Sequence, residues 1–161
     1  MPRLRHLALA AALALSAALA LAAAPAAHAQ IADPGSKAEA ERAVQGYLAM
    51  WSNNRAINEA SVARFYAPRV IYYGKAFSRA QVLADKTTYI RHWPMRIYKE
   101  VPGSFAAHCN ADRSLCKIKA DMTWRRVSSK NVVSVGRARL TFDFVPVEGG
   151  RKIARESARI L

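Results

Sequence analysis

The chain of 161 residues has no G-x-S-x-G elbow, no C-x-x-C pair, and no repeat or low-complexity stretch after residue 29. The first two absences leave nucleophilic and dithiol redox catalysis without a motif. The third, taken with the length, argues against disorder, collagen, a coiled coil or a multi-domain enzyme and leaves one domain with one core. Beyond the N-terminal Ala/Leu run, no apolar segment is long enough to span a membrane. Acid is scarce: 11 Asp+Glu stand against 25 Lys+Arg, a formal net charge of +14.

What is present begins with a leader. Arg3 and Arg5 lie in the first six residues, an apolar run extends from Leu7 to Ala24, and Ala27-His28-Ala29 closes it. This is the n-region, h-region and A-x-A site of a secretory signal peptide, expected to be cleaved after Ala29. The competing reading is an uncleaved anchor; alanine's weak membrane preference and Pro25 ahead of A-x-A speak against it. No cysteine follows the cleavage site to accept a lipid, and Arg3 and Arg5 are not a twin-arginine pair. Removing those two arginines lowers the charge from +14 to +12 on residues 30–161. The expected product is periplasmic or secreted, with a lead-in over 30–37 and one domain over 38–161.

Export sets the meaning of Cys109 and Cys116. An even pair at short spacing in an oxidising compartment forms a disulfide. The Asn110–Leu115 insert reads as a hairpin loop that sets the two cysteines opposite each other on neighbouring strands. A metal site built from His108, Cys109, Asp112 and Cys116 lacks the usual ligand spacing, and no metal or other cofactor is expected.

Helices come first. Ser36-Lys37-Ala38-Glu39 is a capping box, and Ala40, Ala43, Val44, Tyr47, Leu48 and Trp51 behind it form an amphipathic stripe. A short helix from about Asn58 carries Val62, Phe65 and Tyr66 and stops at Pro68. A strand over 70–75 follows. Ser78-Arg79-Ala80-Gln81 then caps a helix running to Trp93, with Val82, Lys86, Tyr89 and Trp93 on its apolar face. From Arg96 the period changes to two, predicting strands at 96–109 with a bend at Pro102-Gly103, then 116–127, 132–145 and 153–160. The order predicts an α+β fold: three N-terminal helices packed in a strongly curved, mainly antiparallel sheet.

At this point the chain resembles the nuclear transport factor 2-like superfamily, which includes ketosteroid isomerase-like, scytalone dehydratase-like and SnoaL-like proteins. The residues that carry the resemblance are Tyr47-Leu48-Ala49-Met50-Trp51, Phe65-Tyr66-Ala67-Pro68 leading into Val70-Ile71-Tyr72-Tyr73, and the closing Ile153-Ala154-Arg155-Glu156. It spans about residues 38–161 and concerns the fold. It implies a cone with a pocket at the open end.

Two charges interrupt the apolar faces. In the last strand Ala154, Glu156, Ala158 and Ile160 are read as inward, and Lys86 sits similarly on its helix. Each needs a partner or a solvated cavity, because burying a lone charge costs several kcal/mol. Either they pair across the cone, or Lys86 snorkels to the rim while Glu156 bonds to Tyr or Trp donors. The candidate pocket wall is Tyr47, Trp51, Tyr72, Lys86, Tyr89, Trp93 and Glu156, and it suits a small apolar or amphipathic ligand. Trp124 continues the Ile118, Ala120, Met122 face and is read as core; of Tyr72 and Tyr73, one can be internal. Catalysis of an isomerase kind would need a carboxylate base and a phenol, for which Glu156 or Asp85 with Tyr72 or Tyr89 are candidates. A dehydratase-like site would want a histidine, with His92 best placed.

The outward faces of three strands carry Lys117, Lys119, Arg125, Arg137, Arg139, Arg155 and Arg159 against Asp121 and Asp143. Such a face could attract an anionic envelope component, or be no more than a solvated charged surface. Nucleic acid is not expected despite a pI near 10.5, because the basic positions are not interleaved with stacking aromatics. Three classes follow: a non-catalytic exported binding domain, favoured because no catalytic set is recognisable; an isomerase- or dehydratase-like enzyme; and an interaction module.

Overall fold

The structure, a computed structural model, describes residues 37–161. The leader, the lead-in up to residue 36 and the Ser36 end of the first capping box lie outside the described residues. Helix α1 spans Lys37–Trp51, and a single 3₁₀ turn at Asn54–Ala56 leads to α2, Glu59–Phe65. Strand β1 (Tyr66–Tyr72), strand β2 (Lys75–Ser78) and helix α3 (Arg79–His92) follow, then β3 (Met95–Glu100) and β4 (Ala106–Cys109). The long strands β5 (Cys116–Val127), β6 (Val133–Val147) and β7 (Gly150–Ile160) complete the chain.

All seven strands join one sheet in the order β2-β1-β7-β6-β5-β3, with β4 also paired to β5. Every pairing is antiparallel except β1 with β7. Among the described residues, three helices with a mixed, curved seven-stranded sheet form the α+β cone that the sequence predicts. The core lies between α1 and the inner sheet face, where Val44, Leu48, Phe65, Ile118, Leu140, Phe142 and Ile153 are buried together.

Local chemistry explains the element ends. At α3 the Ser78 side chain accepts from Gln81 N–H and Gln81 returns the bond to Ser78 N–H, the reciprocal cap its sequence predicts. Asn58 and Ser61 form the same device at α2. Cys109 and Cys116 face each other across β4 and β5 with Cα atoms 4.0 Å apart and are disulfide-bonded. The pair lies next to the hydrogen-bonded Asn110–Leu115 step, the narrow kind of antiparallel position. Closing this short loop stabilises the fold by about 2–3 kcal/mol.

Three expectations are corrected. Pro68 does not separate helix from strand: β1 starts at Tyr66, and Pro68 sits where the β1–β7 register slips, a place that needs no N–H. The strand expected over 70–75 is broken by a turn at Tyr73 (φ 47°) and Gly74 (φ 83°), which folds β2 back on β1. In β7, Ala154 is not an inward residue. Asp143 pairs with Arg155 and Phe144 with Ile153, so Ala154 is the extra residue of a bulge. Ile153 takes the core position before the bulge and Glu156 the one after it.

Candidate functional site

The open end of the cone holds a cavity of about 330 Å³. Tyr47, Leu48 and Trp51 of α1 form one side; the first and last are four residues apart and share a helix face. Asp85 and Tyr89, at the same spacing on α3, form another. Alternation along β5 brings Met122, Trp124 and Arg126 inward, and Ala138 and Leu140 of β6 lie beside them. Tyr72, Tyr73, Tyr98, Ala158 and Ile160 complete the wall.

Of the residues that the sequence suggests for a pocket wall, Tyr47, Trp51, Tyr72 and Tyr89 line this cavity. Lys86, Glu156 and Trp93 do not line the cavity. Tyr73 lines it although Tyr72 does too, because positive φ at Tyr73 ends the alternation and leaves the two rings 4.8 Å apart. Trp124 is on the cavity wall rather than in the core. His92 is exposed, with its ring against Trp93, and is not a cavity residue.

Trp124 stands opposite Gly136 on β6, and a Cβ at that glycine would lie 2.3 Å from the indole. The indole N–H donates to Ser134 Oγ at 3.2 Å. Gly136→Ala is therefore expected to push Trp124 out of place and to destabilise by about 1–3 kcal/mol. Urea melts with near-UV circular dichroism of the tryptophans would check both effects; an unchanged spectrum would mean that the indole does not rest on the glycine.

Behind the cavity wall lies a second, closed layer. Glu156 is 1 % exposed and accepts hydrogen bonds from Tyr47 Oη at 2.7 Å and from Tyr66 Oη. Lys86 is fully buried. Its Nζ lies 3.2 Å from the centre of the Trp51 ring, with the rings of Tyr47, Tyr66 and Tyr72 at 5.2–5.6 Å. The ammonium also reaches Tyr47 Oη at 3.5 Å, and the Trp51 indole donates to that same oxygen. Lysine and glutamate thus meet through the Tyr47 hydroxyl, and the lysine does not snorkel. Burial pulls Lys86 down to about 7 against the pull of the Glu156 and Asp85 charges. Burial first, then Glu156, holds the Tyr47 and Tyr66 phenols well above the usual range, so both remain donors. Tyr66 was not a sequence candidate. The sequence groups it with Val62 and Phe65 on the short helix, whereas in the structure it opens β1 and its hydroxyl donates to Glu156.

On the cavity wall itself, Tyr72 Oη donates to Asp85 Oδ2 at 3.2 Å. A carboxylate and a phenol here can take up a ligand hydroxyl or amine. One turn further along α3, Tyr89 and Tyr98 share a hydrogen bond of 2.8 Å, and Arg126 donates to Tyr89 Oη. No group of three or more His, Cys, Asp or Glu side chains placed to hold a metal occurs among the described residues.

On the outer face the seven basic residues are exposed. Arg137 and Arg139 both reach Asp121 at 2.7 Å, and hydrogen bonding to Arg139 and Arg137 holds its carboxyl down to about 2. Lys117 and Arg155 flank Asp143 at 3.5 and 3.2 Å. Four of the seven charges are thus engaged locally.

No protein-family model and no curated protein matches the chain. Solved structures do. A nuclear transport factor 2-like superfamily protein from Salmonella enterica serovar Typhimurium superposes with a TM-score of 0.65 at 12 % identity, covering 77 % of this chain and 89 % of that one. A protein from Novosphingobium aromaticivorans provisionally named scytalone dehydratase gives 0.63 at 10 % identity, covering 76 % and 81 %. Another from that organism, provisionally named an aromatic ring hydroxylase, gives 0.68 at 12 %, covering 78 % and 88 %. The fold is that of the nuclear transport factor 2-like superfamily.

Proposed function

We propose that this is an exported, non-catalytic domain that holds a small amphipathic molecule in the mouth of its cone. The observation that carries the reading is the cavity of about 330 Å³, walled by tyrosine and tryptophan with a few polar groups converging on it. The size is at the lower end of the usual range for small-molecule sites, about 300–1,000 Å³. Glu156, the buried carboxylate, is held behind the wall by two tyrosines, which suits a structural anchor better than a base that meets substrate. The disulfide supports export, since such bonds persist in oxidising compartments.

One observation favours an enzyme as the second reading. Asp85 and Tyr72 bring a carboxylate and a phenol to the cavity wall, the groups an isomerase-like step would use. The anionic-partner reading is weakened by Asp121 and Asp143, which engage four of the basic residues. Native mass spectrometry of protein recovered from the periplasm tests the first reading. The expected result is a polypeptide beginning at Gln30 with a small-molecule adduct that Trp51→Ala loses. An intact Met1 would remove the export claim. A bare polypeptide that also binds no aromatic probe would remove the binding claim, and turnover of a bound molecule would favour the enzyme.

A further inference from the structure

The cavity wall is polar at two places, one turn apart along α3. Asp85 and Tyr72 meet beside β1, whereas Arg126, Tyr89 and Tyr98 gather near β3 at an edge of the sheet. At the second place two arginines stand side by side. Arg96 of β3 and Arg126 of β5 are direct cross-strand partners. Like charges directly opposite are unfavourable unless something of opposite charge joins them.

Neither arginine has a carboxylate partner among the described residues. Arg96 is 4 % exposed; its Nη1 donates to Asn54 Oδ1 and to the Trp93 carbonyl, while Nε and Nη2 have no partner. Arg126 is held at three points. Its guanidinium lies 4.3 Å from the Trp93 ring centre, Nε donates to Ser134 Oγ at 3.2 Å and Nη1 donates to Tyr89 Oη. Stacking and these two bonds fix the guanidinium plane on the cavity wall. A planar, pre-oriented fork is the geometry that receives a carboxylate.

Building on the reading of the cavity as a ligand site, we propose that its ligand is an amphipathic carboxylate. The acid group meets Arg126, with the charge of Arg96 behind it, and the apolar body lies along Trp51, Trp124, Met122 and Leu140. This accounts for a buried guanidinium at Arg96 and a half-buried one at Arg126, neither with a protein counter-ion.

Equilibrium dialysis with cinnamate and its neutral counterpart cinnamamide tests the assignment. The wild-type protein is expected to bind the acid at least about tenfold more tightly than the amide, a difference of about 1.4 kcal/mol. Arg126→Gln should abolish that preference and leave amide binding within about twofold, while Arg159→Gln on the outer face should change nothing. Equal binding of acid and amide overturns the carboxylate assignment and leaves the cavity reading standing. Binding of neither probe overturns both. Loss of the preference in Arg159→Gln overturns the assignment by moving the acid to the outer face. The wild-type comparison needs no variant, and Arg96→Gln, expected to reduce the preference in part, serves if Arg126→Gln folds poorly.

Discussion

Glu156→Gln is expected to lower the unfolding free energy by about 3–5 kcal/mol at a pH below about 7, where Lys86 carries its proton. The substitution keeps the shape and removes the charge. Two tyrosine hydroxyls then lose an ionised acceptor, and hydrogen bonds to charged groups contribute about 1.5–3 kcal/mol each. Lys86 is left enclosed by aromatic rings, which offer cation–π attraction but no counter-charge. Lys86→Met removes that uncompensated charge. The double variant should therefore lose less than the sum of the two singles, because both act through the Tyr47 hydroxyl. Urea melts of the four proteins give the coupling. Strictly additive losses below about 0.5 kcal/mol, the range of surface substitutions, would mean that the two side chains share no buried network.

That network was half visible in the sequence. Lys86 stands out because Val82 and Lys86 are one turn apart on an otherwise apolar stripe, and the structure buries both. Glu156 stands out through alternation in β7. The rule worked there only because the bulge at Ala154 lies before it; on the near side of the bulge the same rule put Ala154 where Ile153 belongs. Parity in a strand is set jointly with its neighbour, and a single sequence does not show where the neighbour skips a residue. The Tyr73 turn was hidden for a related reason, since Tyr-Gly is a weak signal for two successive positive φ values.

Arg126 was within reach of the sequence. The inward series Ile118, Ala120, Met122, Trp124 continues to Arg126 with no break in period, and β5 has the boundaries its sequence predicts. Its pairing with Arg96 was not legible, because register depends on how β3 and β4 divide around Pro102-Gly103 to share one edge of β5. The disulfide was the reverse case. A short polar loop between two cysteines fixes its own register locally, so hairpin, facing positions and bond are all readable together.

The pH profile of stability isolates Lys86 from everything else on this basic chain. Its folded value of about 7 lies below the ordinary 10.5. Between those limits the unfolded chain binds a proton that the folded chain does not, so unfolding free energy rises with pH. Below about 7 both states are protonated and the gain is absent; above about 10.5 it is complete. A gap of that size corresponds to about 4–5 kcal/mol at most. Buried phenols act in the opposite direction. Tyr47 and Tyr66 keep their protons in the folded state at pH values where an unfolded tyrosine, near 10, has lost them, so stability falls again above about 10. The expected curve is a climb from neutral pH to a maximum between about 9 and 10. Relief of self-repulsion among the surface lysines would also raise stability at high pH. Lys86→Met separates the two causes, because it leaves the surface charges in place and should flatten the climb that begins near pH 7. Urea melts at closely spaced pH values read this directly. A wild-type curve that is level from 7 to 9, or a climb that survives in Lys86→Met, would show that the buried ammonium keeps its proton in the folded state.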